Sequence, residues 1–260
     1  MRSFASLLAP SLVLLALVGC ETSGKKDASP TPDSDSLVGH ASLDSFLVLR
    51  YGLVPDRVGV PSSEGWTLRI CADTSVVIGD APHRLVAICR SNAAGSHAEG
   101  GLSDAYLFRI AGARLVVVAQ DTTRESGSNG TPGEIAFTRL GRQDWSVQTV
   151  SGFLGQGNYE EALEWRVFNG DTARTILYLS TLSSNEGTME CVDDSLLCAS
   201  HTTRVSIDAS DSTLDRYPVD LLDTLLSGGV VETRRVRLAF DSAKGAWIVP
   251  PLLGEASDGN

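Results

Sequence analysis

Strict alternation of apolar and polar residues constrains this chain more than any other feature. Tyr106, Phe108 and Ile110 are spaced by Leu107 and Arg109, and Leu163, Trp165 and Val167 by Glu164 and Arg166. Val236, Leu238 and Phe240 are spaced by Arg237 and Ala239. A period of two sends successive side chains to opposite faces of an extended backbone, so each run reads as a half-buried antiparallel strand. Each run meets a turn (Ala111-Gly112-Ala113, Asn169-Gly170-Asp171, or Asp241 to Gly245), and a second apolar run follows at 115–119, 175–179 and 247–249. These are three hairpins. The first two agree beyond pattern: the segment from Ala105 to Ile110 is matched, at an offset of 57, by the segment from Ala162 to Val167. A β unit recurring at about sixty residues predicts an all-β fold of antiparallel sheets, built as a propeller-like ring or as a sandwich. At most one short helix is expected, near 218–227. There Val219, Leu221, Leu222, Leu225 and Leu226 follow Pro218 at spacings of three and four, and Gly228-Gly229 would stop it.

The first twenty residues differ in kind. Arg2 is the only charge before Glu21, and the stretch from Leu7 to Val18 is mostly Leu, Ala and Val. A positive start, an apolar middle and small residues at a cut form a secretory leader. It ends in Leu17-Val18-Gly19-Cys20. These four residues resemble the lipobox of bacterial lipoproteins. That resemblance covers the export segment alone. It implies cleavage before Cys20, acylation of that cysteine, and anchoring to a membrane by several acyl chains, which hold where one would be marginal. Glu21 follows where Asp would mark inner-membrane retention in the related enterobacterial proteins, so the resemblance points to the outer membrane, facing the periplasm. The expected organisation is a leader at 1–19, a lipidated cysteine and tether at 20–42, one β-domain at 43–253, and a tail at 254–260. The tether is rich in Ser, Asp, Pro and Lys, a composition that buries too little to order itself.

Four cysteines remain, Cys71, Cys89, Cys191 and Cys198. An even number in an oxidising compartment suggests two disulfides. Three connectivities exist, and the local pairs 71–89 and 191–198 are preferred. Cys71 and Cys89 are symmetric about Asp80, where Gly79-Asp80-Ala81-Pro82 can turn a hairpin. No C-x₂-C spacing supports a zinc site.

Chemistry is thinly marked. A net charge of −11 argues against nucleic acid, which needs a basic footprint. The histidines are His40, His83, His97 and His201. His97-Ala98-Glu99 with Asp104 nearby could serve a metal or a proton transfer, but one histidine with two carboxylates is an incomplete metal site. The acidic stretches at Glu186, Glu190, Asp193, Asp194 and at Asp208, Asp211, Asp215 lack the register of a calcium loop and read as solvated turns. Gly152 to Tyr159 runs G-x-x-G-x-G, the wrong order for a dinucleotide loop, and reads as a strand entering a bend. Phe153 and Tyr159 could still make aromatic contacts there. The candidate ligand-loop residues are therefore His97, Glu99, Asp104, Phe153 and Tyr159, with no cofactor or metal assigned. No G-x-S-x-G motif occurs, and Ser23-Gly24-Lys25-Lys26 matches S-x-x-K only by chance, within the tether. Trp165 and Trp247 lie on expected strands, where core packing is the natural use.

The expectation is a lipid-anchored envelope domain that binds a protein or glycan partner or supports structure without catalysis. The alternative is an envelope hydrolase acting on glycan or ester. Metabolic labelling with a palmitate analogue should mark the wild-type chain and leave Cys20→Ala unlabelled.

Overall fold

Each alternating run finds its partner beside it in the chain. The computed structural model describes residues 39–253, so the leader, Cys20, nearly all of the tether and the tail from 254 lie outside the described residues. A short helix α1 (Leu43–Tyr51) comes first. Five strands then form one antiparallel sheet in sequence order: β1 (Val60–Pro61), β2 (Thr67–Ile78), β3 (Ala81–Ser91), β4 (Gly101–Ala111) and β5 (Arg114–Ser126). Seven more form a second, also in sequence order: β6 (Glu134–Arg139), β7 (Trp145–Gly155), β8 (Asn158–Asn169), β9 (Thr172–Ser184), β10 (Ala199–Ile207), β11 (Val219–Ser227) and β12 (Val230–Arg237). This second sheet curls into a half-barrel, edged by β6 and β12. A last hairpin joins β13 (Ala239–Asp241) to β14 (Ala246–Ile248). A second short helix, α2 (Met189–Asp193), lies between β9 and β10.

The fold is all-β, as the alternation requires, and the repeated hairpins are β4–β5 and β8–β9. The two sheets touch where β3 and β4 meet β6 and β7. On β3 and β4 the small residues Ala87, Cys89 and Ala105 meet Ile135 and Val147 of β6 and β7. Val86, Ile88, Tyr106 and Phe108 point the other way, against α1. This explains why β3 reads as a continuous apolar run: it is covered on both faces. The half-barrel core holds Leu163, Trp165, Val167, Leu177, Leu179, Val219 and Leu221, closed by Trp247 of β14 and by Leu252. Cys71 is joined to Cys89 and Cys191 to Cys198, both the local pairs, with Cα separations of 5.8 and 4.6 Å.

Two expectations are corrected. The segment near 218–227 is strand β11, not a helix. Its inward residues are Val219, Leu221, Asp223 and Leu225. Asp223 breaks the apolar alternation, so the leucines around it imitate helical spacing. Gly228-Gly229 makes the β11–β12 turn, both with positive φ. In the third hairpin Val236 belongs to β12, and only 239–241 pair with 246–248.

The helix lies instead at 43–51, just past the tether. Ser42 caps it in a reciprocal pair with Ser45, and Gly52 ends it at φ 71°. Leu43, Phe46 and Leu47 share one face and are buried. The Phe46 ring meets His40, Tyr106 and Phe108 edge-on with centroids 4.9–5.1 Å away. Phe46→Ala should lower the unfolding free energy by about 3–4 kcal/mol in a denaturant titration, since a large aromatic leaves a cavity that strands cannot close.

Candidate functional site

A polar cavity opens where the half-barrel frays between β9 and β10. These two strands pair over only three residues, Ser184↔Ser200, Ser183↔His201 and Leu182↔Thr202. Its volume is about 310 Å³. The wall is hydroxyl- and amide-rich: Ser180, Ser183, Ser184, Ser200, Asn158 and Asn185, with Tyr159 and Glu160 from β8. His201 and Leu253 also line it.

His201 is held from behind. Its Nε2 meets Asp223 Oδ1 at 2.5 Å, and the Thr203 hydroxyl donates to the same oxygen at 3.2 Å. The other oxygen, Oδ2, accepts from Arg234 Nη2 at 2.9 Å and from the Leu253 N–H at 2.8 Å. Asp223 is wholly buried. Burial alone would raise its pKa, but the Leu253 N–H, His201 and Arg234 outweigh it and hold the carboxyl below the usual carboxylate range. A carboxylate so fixed sets the orientation of the imidazole. Nε2 is thereby committed to Asp223. Ser183 stands in register directly opposite His201, with Glu160 opposite Ser183 on the far side.

The candidate ligand-loop residues do not form one site. Tyr159 joins the β9–β10 cavity, with its ring over Gly152. His97 and Phe153 come together at the β7–β8 tip, their rings 5.3 Å apart. Glu99 shares the His97 loop, where it accepts from the Ser96 N–H at 2.6 Å. Asp104 lies apart, buried under α1. It accepts from the Tyr51 hydroxyl at 2.7 Å, Arg90 Nη2 at 3.1 Å and the Thr123 N–H at 2.6 Å. Among the described residues no three His, Cys, Asp or Glu side chains are grouped to hold a metal ion. The acidic stretches serve local turns: Asp194 caps the 3-10 turn Ser195–Leu197, while Asp208 and Asp211 accept from Ser210 and Thr213.

No family model, no curated protein and no solved structure matches this chain.

Of the residues that build it, the sequence pointed to Tyr159 but not to the polar hub behind His201. His201, Asp223 and Arg234 lie on three adjacent strands, with no motif spacing between them. The one signal available was Asp223, the charged residue in the inward row of β11.

The tip beside the cavity is latched by His97. Nε2 meets the Leu154 carbonyl and Nδ1 meets Asn129 Oδ1 at 3.0 Å. The Asn129 amide nitrogen is turned to Ser128 Oγ at 3.4 Å. With Asn129 Oδ1 and the Leu154 carbonyl as its partners, the ring is best matched when both nitrogens carry protons. Accordingly Asn129, then Leu154, raise the His97 pKa above its ordinary value against a small opposing effect of desolvation. The latch is fully made below the unbonded histidine pKa of about 6.5 and is lost as pH rises through the higher folded value. Amide exchange at 153–157, corrected for intrinsic rate, should accelerate between about pH 5 and pH 8.5. His97→Phe should remove that pH dependence.

Proposed function

We propose that this chain is a lipid-anchored binding domain of a bacterial cell envelope that holds a hydroxyl-rich ligand, a glycan above all, between β8, β9 and β10 without turning it over. The observation that carries the reading is the cavity itself. Four serines and two asparagines face one space beside Tyr159, over an imidazole locked by a buried carboxylate. Sugar hydroxyls both donate and accept, and serine and asparagine side chains do both. A preformed wall loses little conformational freedom on binding. The lipobox at 17–20 supplies the membrane attachment, and two disulfides suit an oxidising compartment such as the periplasm. A charge of −11 gives no footing for nucleic acid.

A second reading, an envelope hydrolase acting on glycan or ester, is favoured by one observation. Ser183, His201 and Asp223 follow one another across the sheet in the order nucleophile, base and orienting acid. The binding reading is preferred because the two oxygens of Asp223 are shared among His201, Thr203, Arg234 and Leu253, which is how a structural hub is built.

Full-length protein in detergent should retain oligosaccharides from a panel of envelope glycans and release no products. Ser183→Trp, which fills the cavity, should weaken retention by about tenfold or more, equal to about 1.4 kcal/mol. Product release abolished by His201→Gln would replace this reading with the hydrolase. Retention of no glycan at all would end it.

A further inference from the structure

A second polar cavity, of about 290 Å³, lies beneath the C-terminal end of α1. We infer that it is a ligand site for a monosaccharide-sized ring carrying an anionic group, a carboxylate or a phosphate. It is separate from the β9–β10 cavity and does not rest on the reading given there.

The cation comes from Arg50 and Arg90, which both line the space. Arg90 spends Nη2 on Asp104, yet its Nε is buried with no hydrogen-bond partner. A buried donor left unpaired is costly, and an incoming acceptor would relieve it. Arg50, in the last turn of α1, is exposed and reaches the Tyr106 hydroxyl, and no carboxylate lies within ion-pair distance of it among the described residues. Asp104 is shared among Tyr51, Arg90 and the Thr123 N–H, and its charge also acts on Arg50, so the two arginines together outweigh this one carboxylate. An anion seated here can meet two guanidinium groups, the planar donors best suited to carboxylate and phosphate.

The ring is called for by the remaining wall. Trp66 is partly buried and offers an aromatic face. Ser62 Oγ accepts from the Glu64 and Trp66 N–H groups, both at 3.3 Å, which leaves its own proton for a ligand oxygen. Glu64, also in the wall, can accept from ligand hydroxyls but repels an anion, so the anionic group has to sit at the Arg50 and Arg90 end, away from it. The volume sits near the lower bound of ligand pockets and fits a single six-membered ring.

The wall is also preorganised. Burial, then the neighbouring Tyr106 and Asp104, push the Tyr51 phenol far above its usual pKa, so it stays a proton donor. Since that proton goes to Asp104, the Tyr106 hydroxyl must donate to Tyr51, at 2.8 Å. Thr123 is held at φ 57°, a strained setting for a β-branched residue. Such strain persists only where the surroundings fix it, and it gathers at ligand sites. Here Asp104 fixes it.

Calorimetric titration of the full-length protein in detergent with glucuronate, glucose 6-phosphate, inorganic phosphate and glucose tests this inference. Saturable binding of glucuronate or glucose 6-phosphate, at least tenfold tighter than glucose, is expected, and the stronger of the two identifies the anionic group. Arg50→Gln removes one of the two cations and should weaken that binding about tenfold, whereas Arg50→Lys, which keeps the charge, and Trp66→Phe should each weaken it less. Glucose binding equal to the anions, inorganic phosphate binding as tightly as the sugars, unchanged affinity in Arg50→Gln, or no saturation by any probe would each overturn it.

Discussion

A single buried carboxylate organises the larger half of this molecule. Asp223 sits on β11 with no exposure to solvent, and an ionised group in such a place is tolerable only if its charge and lone pairs are met. They are met from every side: by His201 and Thr203 on β10, Arg234 on β12, and the backbone of Leu253. Arg234 also donates to the Pro251 carbonyl at 2.6 Å, which draws in the chain segment carrying Leu252. The curl of three strands and the course of the final segment thus converge on one side chain. The β9–β10 cavity is a product of the same arrangement, because His201 forms part of its wall.

A second polar cluster ties the two sheets. Arg166 of β8 is almost wholly buried and pairs with Asp121 of β5, with Glu164 at 3.5 Å and with the Thr149 hydroxyl at 3.2 Å. Arg124 of β5 reaches back to Glu164 at 2.7 Å. Two cations and two anions balance across the seam, while Ala87, Cys89 and Ala105 let the sheets approach nearby. Apolar contact supplies the area; the ionic set fixes how one sheet sits on the other. Removing a single partner would strand a charge in a dry place, which is costlier than losing the pair together.

Class of fold was legible because burial here follows the pleat. Tyr106 and Phe108, or Leu163 and Trp165, alternate as the faces of their strands demand, and the turns carry glycine where the backbone must reverse. The local disulfides were legible for the same reason, since the β2–β3 hairpin brings Cys71 and Cys89 together. β11 was not legible. Its inward row includes Asp223, whose partners are 11 to 30 residues away and invisible to any local pattern. α1 was missed because its nine residues adjoin the tether and its stability comes from rings on β4 rather than from its own periodicity. The candidate site suffered similarly: His97, Phe153, Tyr159 and Asp104 are real participants in three different places, and only register and packing reveal which belongs with which.

The outer rim of the half-barrel has a chemical consequence of its own. β12 is exposed along most of its length and presents an unpaired backbone edge, the kind of surface onto which a foreign strand can add. Its sequence runs Val230-Val231-Glu232-Thr233-Arg234-Arg235-Val236-Arg237. Three arginines crowd its second half, and Arg237 is clamped to Asp220 through two bonds of 2.8 Å. A strand docking there would have to desolvate those cations or displace them from their carboxylates. The two exposed valines at the other end, Val230 and Val231, carry no such guard, so an added strand would meet the least resistance there.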